Sequence, residues 1–419
     1  MRIALLSYRS KEHCGGQGVY VRHLSRGLAE LGHDVEIFSG QPYPEDLDPR
    51  VTLTKVPSMD FFREPDPFRT PRLSEFRSAT DVLEYALTCT GCFAEPLTFS
   101  LRAAKILRDR AHEFDVVHDN QSLGYGLLAM MRRGVPLAAT VHHPISRDRL
   151  VDLAAARGWR RKLSVSRWYS FVPMQARVAR RIPIVLAVAG ASAADSVADF
   201  DLDPAQMRIV PLGVDTDLFA PADGRVPGRI VAVASADRPL KGVVHLLEAV
   251  AKLRTDHDVE LQLVSNLEPG GPTERRITEL GIGDAVHVVN NISDQELASL
   301  LASAEVMCVP SLYEGFSLPT VEAMSCGTPV VASRAGALPE VVGDDGTCAV
   351  LVEPGDPEAL ASAIRDLLDS PETRERLGSA GRRRALDRYS WTSVAEATVA
   401  AYTEAIEAAR TRRNRHADR

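Results

Sequence analysis

Mainly apolar runs recur along this chain at 2–7, 35–38, 115–118, 136–141, 230–234, 259–264, 285–289, 306–310 and 329–332. Short runs of this kind, bounded by turn residues, mark strands covered on both faces, as in a parallel sheet. Between them the spacing becomes helical. Val19, Leu24, Leu28 and Leu31 line one face until Gly32 ends the series. Val321, Met324 and Cys326 repeat at similar spacing, which predicts a short helix over 318–326 with Pro319 in its first turn. The chain thus opens with a strand, a Gly-rich turn, a helix and a strand, a βαβ unit that implies a parallel sheet flanked by helices. At 419 residues it is too long for one ordinary core, so two domains are expected.

The densest chemistry lies in YEGFSLPTVEAMSCGTPVV, residues 313–331. Its order is strand, acidic-glycine loop, helix, strand. A helix N-terminus gathers unpaired N–H groups and the positive end of the macrodipole, which suits a phosphate. Glu314 in the loop and Glu322 on the helix would repel a phosphate, but carboxylates suit hydroxyls. The physical reading is a diphosphate on the helix tip with a sugar ring on each side. The plainer reading makes Glu314 a helix cap and Glu322 a solvated residue.

Other stretches carry compatible chemistry. In SADRPLKG, residues 235–242, Arg238 can fork two phosphate oxygens and Lys241 supplies a compact charge. Gly15, Gly16 and Gly18 allow close backbone approach of a ligand after the first strand. Two later strands end in His118-Asp119-Asn120 and His142-His143. Ligands of open parallel sheets collect at the carboxyl ends of strands, although a histidine there more often packs or caps.

The string EGFSLPTVEAMSCGTPVV closely resembles the donor-binding motif of retaining nucleotide-sugar glycosyltransferases of family 4, which have the GT-B fold. That family usually has Gly where Ser317 stands and Ala where Ser325 stands. The resemblance covers nearly the whole chain and constrains 57–110 least. It implies two doubly wound Rossmann-like domains facing across a cleft: 1–208 on the acceptor side, 209–389 binding the nucleotide sugar, and 390–419 a closing helix packed back on the first. It also implies the site. Glu314 would meet the donor sugar's hydroxyls and Glu322 the ribose, with the main chain of Gly315, Phe316, Ser317 and Leu318 around the diphosphate. Gly15 and Gly16 match a Gly-Gly that faces the diphosphate, and Lys241-Gly242 match a Lys-Gly pair. The family's Gly-Arg positions read Ser235-Ala236 here, with the arginine moved to Arg238. The base is expected against the backbone near Asn291 and Ile292, which leaves UDP and GDP as the favoured, undistinguished nucleotides. His142 falls where the family places a histidine against the transferred sugar. Asn120 stands where a second histidine is common, and it joins Tyr8 as an acceptor-side candidate. A Ser-Glu pair common in the family reads Ala189-Gly190. The implied reaction is sugar transfer from a nucleotide diphosphate sugar to a hydroxyl acceptor, with no cofactor and no metal. Three rivals share features with it: a nucleotide-sugar epimerase, a phosphorylase carrying pyridoxal phosphate on a lysine, and a non-catalytic sugar-nucleotide binding protein.

Composition adds limits. A formal charge of −7 argues against a nucleic-acid partner. The opening MRIALLSYRS is too short an apolar run for a secretory signal, so a cytoplasmic protein is expected. The stretch from Arg157 to Arg181 holds eight Arg or Lys residues interleaved with Trp159, Trp168, Tyr169 and Phe171. It reads as peripheral contact with an anionic membrane at the inner face, or as a solvated or acceptor-gripping basic helix. Cys89 and Cys92 form a lone CxxC, a poor zinc site without a second pair. Residues 57–100, rich in Pro, Phe and Arg, show no clear period and are expected to be an irregular acceptor-side wall or a surface excursion.

Overall fold

The computed structural model describes residues 1–10, 16–63 and 66–417. The chain divides into two compact units. The first takes Met1–Val188, Ser192–Val210 and the residues from Val394 on; the second takes Ala189–Ala191 and Pro211–Ser393.

The first unit opens with β1 (Arg2–Ser7), α1 (Gly16–Glu30), β2 (Asp34–Ser39) and β3 (Thr52–Lys55). It continues through α2 (Ala79–Cys89), α3 (Glu95–Leu107), β4 (Val116–Asn120), α4 (Tyr125–Arg132), β5 (Leu137–Val141) and α5 (Ser146–Ala155). Then come α6 (Trp159–Trp168), α7 (Val172–Ala179), β6 (Ile184–Ala187), α8 (Gly190–Phe200) and β7 (Met207–Ile209). The strands form one parallel sheet in the order β3-β2-β1-β4-β5-β6-β7. Leu6, Phe38, Val117 and Leu137 of the strands pack with Phe99, Leu127 and Val178 of the helices. This is why the strands read as apolar runs rather than alternations: helices cover both faces. The strand order reverses between β1 and β4. Register sets Ser7 opposite Asn120 and Asn120 opposite Thr140, so β1, β4 and β5 finish abreast at that switch point.

Two expectations change here. Residues 57–100 are not irregular throughout, because α2 and the start of α3 fall within them. The helical period is hidden because the inner face of α2 is charged. Asp81 and Glu84 are buried and both accept from Arg102 of α3, at 2.6 and 2.5 Å. The basic stretch from Arg157 is also not one helix. α6 is largely exposed, with Trp159 at 71 %, whereas α7 buries Met174, Val178 and Ala179. No helix of the described residues is long and apolar enough to cross a membrane.

The second unit runs β8 (Arg229–Val233), α9 (Val243–Leu253), β9 (Glu260–Val264), α10 (Pro272–Leu280), β10 (Val286–Val289) and α11 (Asp294–Ala302). β11 (Val306–Val309), α12 (Leu318–Ser325), β12 (Val330–Ser333), α13 (Leu338–Val342), β13 (Ala349–Val352), α14 (Pro357–Asp369) and α15 (Pro371–Tyr389) follow. Its strands are again all parallel, in the order β10-β9-β8-β11-β12-β13. Ser293 caps α11 through a reciprocal pair with Glu296, and Asp356 caps α14; such caps contribute about 1 kcal/mol each. The switch point lies between β8 and β11, and the loops leaving those two strands hold Lys241 and Glu314. A last helix, α16 (Trp391–Ala417), begins in the second unit and buries Tyr402 and Ala405 in the first.

Candidate active site

In the second unit the two loops at the switch point are tied together. The Leu312 N–H donates to the Leu240 carbonyl at 2.8 Å. Gly242 sits at φ +63° with its Cα against the end of β11, where a Cβ would lie 2.1 Å from the Pro310 carbonyl oxygen. Only glycine permits that approach. It sets Lys241 beside Glu314, with Nζ 2.8 Å from Oε1, and the Ser311 hydroxyl donates to the same oxygen at 2.8 Å. Glu314 is buried, and its backbone is held from the other side. The Ala337 N–H donates to its carbonyl at 2.9 Å, and Gly336, at φ +56°, leaves no room for a Cβ.

Past Glu314 the backbone is left open. Among the described residues, the N–H groups of Gly315, Phe316, Ser317 and Leu318 donate to no protein acceptor. They gather at the start of α12, where the macrodipole adds to them, and this is an anion site in the physical sense. Phe316 contributes only its N–H, because its buried ring packs edge-on against Tyr389 with centroids 5.8 Å apart. Ser317 adopts φ +80°, a left-handed conformation that costs an L-residue roughly 1–2 kcal/mol. Its hydroxyl lies 2.7 Å from that of Thr320.

The side chain of Glu322, one turn into α12, makes no hydrogen bond or ion pair among the described residues. Burial pushes its carboxyl up to about 8, with the charge of Asp294 adding to the shift. An unpartnered carboxyl in such a place is expensive to ionise. Arg238 is exposed at the N-cap of the turn Pro239–Lys241 and forms no ion pair among the described residues. Asn291 is exposed at φ +51°, and the half-buried Ile292 precedes the capped start of α11.

The first unit presents a different surface at its switch point. Gly15 lies outside the described residues; Gly16 opens α1. Tyr8 follows β1 with its ring edge-on to Phe93, and burial and then Glu95 raise its hydroxyl to about 12. Asn120 is fully buried. Its amide nitrogen is 3.5 Å from the Gln17 carbonyl, which orients the group and turns Oδ1 to His142 Nε2 at 2.7 Å. An amide oxygen only accepts, so the proton of His142 is on Nε2. Burial, and then His143, lower His142 to about 3, leaving it neutral.

His118 lies inside β4 rather than at its end. It is fully buried and lowered to about 3, by burial and then by His142. Its Nδ1 is 2.7 Å from the Tyr402 hydroxyl and its Nε2 is 2.7 Å from that of Thr140. Thr140 in turn is 3.1 Å from the hydroxyl of Tyr20, whose ring meets His142 edge-on at 4.9 Å. Tyr20, Thr140, Tyr402 and Ser311 thus support the candidate residues; Thr140 belongs to the T-x-H pattern that ends in His142, and the other three carry no motif that would single them out.

Two family models cover the chain: "Glycosyl transferase 4-like domain" over residues 15–213 and "Glycosyl transferases group 1" over residues 221–384. The chain is 66 % identical to the MMP alpha-(1->4)-mannosyltransferase of Mycolicibacterium hassiacum, over 97 % of this chain and 98 % of that one. It is 33 % identical to the D-inositol 3-phosphate glycosyltransferase of Geodermatophilus obscurus, over 94 % of this chain and 85 % of the relative. Among solved structures, sucrose-phosphate synthase from Thermosynechococcus elongatus matches with TM-score 0.70 at 24 % identity, over 97 % of this chain and 99 % of that one. Anabaena HepE in complex with UDP matches with TM-score 0.67 at 19 % identity, over 96 % and 100 %. The chain is therefore a glycosyltransferase, built on the GT-B fold and belonging to the group 1, family 4 type.

Proposed function

We propose that the protein transfers an α-mannosyl group from a nucleotide diphosphate mannose to a hydroxyl of a carbohydrate acceptor, with retention at the anomeric carbon. The observation that carries the donor assignment is the set of open N–H groups from Gly315 to Leu318, flanked by the carboxylate of Glu314 before α12 and the carboxyl of Glu322 within it. A diphosphate answers the N–H groups; sugar and ribose hydroxyls answer Glu314 and Glu322. The mannosyl group and the α-linkage rest on the relative named a mannosyltransferase, at 66 % identity over nearly the full length.

On this reading Lys241 has three donors, one of them given to Glu314, with two left for phosphate oxygens. As the bond between the anomeric carbon and the diphosphate breaks, charge grows on the leaving oxygens, and Lys241, the helix tip and the nearby Arg238 stabilise it. Glu314 orients the sugar and opposes the positive charge developing at its anomeric carbon. His142, being neutral, serves as a hydrogen-bonding group rather than as an acid.

Differential scanning fluorimetry against GDP-, UDP- and ADP-sugars and the free nucleotides tests the donor site. Native-state binding raises stability by RT ln(1 + [L]/Kd), roughly 2.7 kcal/mol at a hundredfold excess over Kd. A shift with one nucleotide family, followed by an α-linked product from its mannose conjugate, is the expected result. No shift with any of them overturns the assignment.

A further inference from the structure

A cavity lies in the first unit, at the amino ends of β5 and β6. Its volume is about 940 Å³, within the range of small-molecule sites. The candidate residues Asn120 and His142 stand at the opposite ends of the strands. β5 spans five residues, or about 17 Å at the usual rise per residue.

Seven arginines line this cavity. Arg132 and Arg133 close α4; Arg177, Arg180 and Arg181 come from α7 and the turn after it; Arg412 and Arg413 come from α16. Among the described residues, no Asp or Glu lines the cavity, and one carboxylate reaches the group from outside: the exposed Asp201 lies 3.1 Å from Arg180. The arrangement is organised rather than splayed. Arg177 donates to the Tyr125 hydroxyl at 3.1 Å, Arg181 to the Arg177 carbonyl at 2.8 Å, and Arg412 to the Arg181 carbonyl at 3.3 Å.

Basic residues at helix C-termini ordinarily answer the macrodipole. Three helix ends supply about −1.5 in partial charge, so with Asp201 they leave most of the seven charges uncompensated. This surplus stands in a chain whose formal charge is −7, so it does not follow from overall composition. Beneath the guanidinium rim the floor is apolar, formed by Leu128, Met131 and Leu137. Guanidinium forks match phosphate oxygens two at a time, and the cavity is larger than a single phosphate requires.

We propose that this cavity is a binding site for a multiply phosphorylated molecule whose uncharged body lies on the apolar floor, distinct from the site of sugar transfer. The phosphates come either from a free ligand or from a lipid head group.

The test uses the full chain and compares wild type with a triple variant, Arg133→Ser, Arg177→Ser, Arg412→Ser, and with Lys241→Ala. These arginines are exposed, and a matching thermal midpoint for the triple variant confirms that it is folded. Calorimetry with inorganic tripolyphosphate probes the free source; co-sedimentation with phosphatidylglycerol vesicles, against phosphatidylcholine vesicles, probes the lipid source. Binding of either probe that falls at least tenfold in the triple variant and persists in Lys241→Ala supports the proposal and names the source. Binding unchanged in the triple variant, or lost only in Lys241→Ala, overturns it. So does arginine-dependent binding of a single-stranded RNA with no response to either probe, because the surface would then be a nucleic-acid site.

Discussion

The carboxyl ends of the two sheets solve the same problem in opposite ways. In the first unit the polar groups at the switch point are answered from within the chain: Tyr402, His118, Thr140 and Tyr20 form one buried series, and Asn120 holds His142. In the second unit Glu314 is answered by Lys241 and Ser311, but among the described residues four N–H groups and the carboxyl of Glu322 are left without a partner, beside a serine in a left-handed conformation. A satisfied network fixes a shape in advance of any ligand. An unsatisfied one stores a cost that a ligand with the right groups removes. Stability and binding should therefore move together at the first site and apart at the second.

Substitutions can break this contrast. The largest effect is expected at Glu314→Gln, which removes the charge proposed to face the sugar and the ionic partner of Lys241. Transfer should fall on the order of 10²–10³-fold, with nucleotide affinity within about tenfold. Unchanged turnover would remove Glu314 from the sugar site. At Glu322→Gln, exchanging the carboxyl proposed to take the ribose hydroxyls for an amide should weaken nucleotide binding by up to about 1–3 kcal/mol, while the ligand-free protein gains stability at pH 8. The sign follows from the proton. The folded carboxyl keeps it up to about 8 and the unfolded one sheds it near 4.5, so the wild type loses stability as pH rises between those values. Denaturation curves at pH 5 and pH 8 should show that loss in the wild type and a flatter response in the variant.

Tyr402→Phe leaves one nitrogen of the buried His118 without a partner, costing about 1–3 kcal/mol of stability. Here nucleotide affinity should be unaltered; if calorimetry shows it falling as well, the two sites are not separable as argued. Smallest is Ser317→Gly. Relief of the φ +80° strain is offset by the greater freedom of the unfolded glycine, so stability should change by less than about 0.5 kcal/mol. Ser317→Val at the same position should cost about 1–2 kcal/mol. Thermal melts of the pair would tell strain from side-chain contacts.

What the sequence revealed follows the same division. Strands buried on both faces announce themselves as apolar runs, and the loop around Glu314 is legible because its function needs unusual residues at close spacing. α2 stayed hidden because its buried face holds Asp81 and Glu84, which break the apolar period until Arg102 is known to answer them. Tyr402 was beyond reach for another reason. Its partner His118 is 284 residues away, and no local pattern in α16 marks it. The arginines of α7 showed up as a basic run, but only the fold brings them together with those of α4 and α16.

The route of α16 has a consequence for how the chain is made. Val394, Thr398, Tyr402 and Ala405 are buried in the first unit, although they are synthesised only after the whole of the second. Roughly 180 residues separate the end of β7 from this helix, which at ~5–20 residues per second is about 9–36 s of synthesis. Through that interval the first sheet exists without its final cover, and His118 without its tyrosine. The second unit, nearly continuous in sequence, can close first. Completion of the first unit thereby waits on synthesis of the second, and a ribosome that stops short of codon 402 releases a chain whose earliest-made unit cannot finish its core.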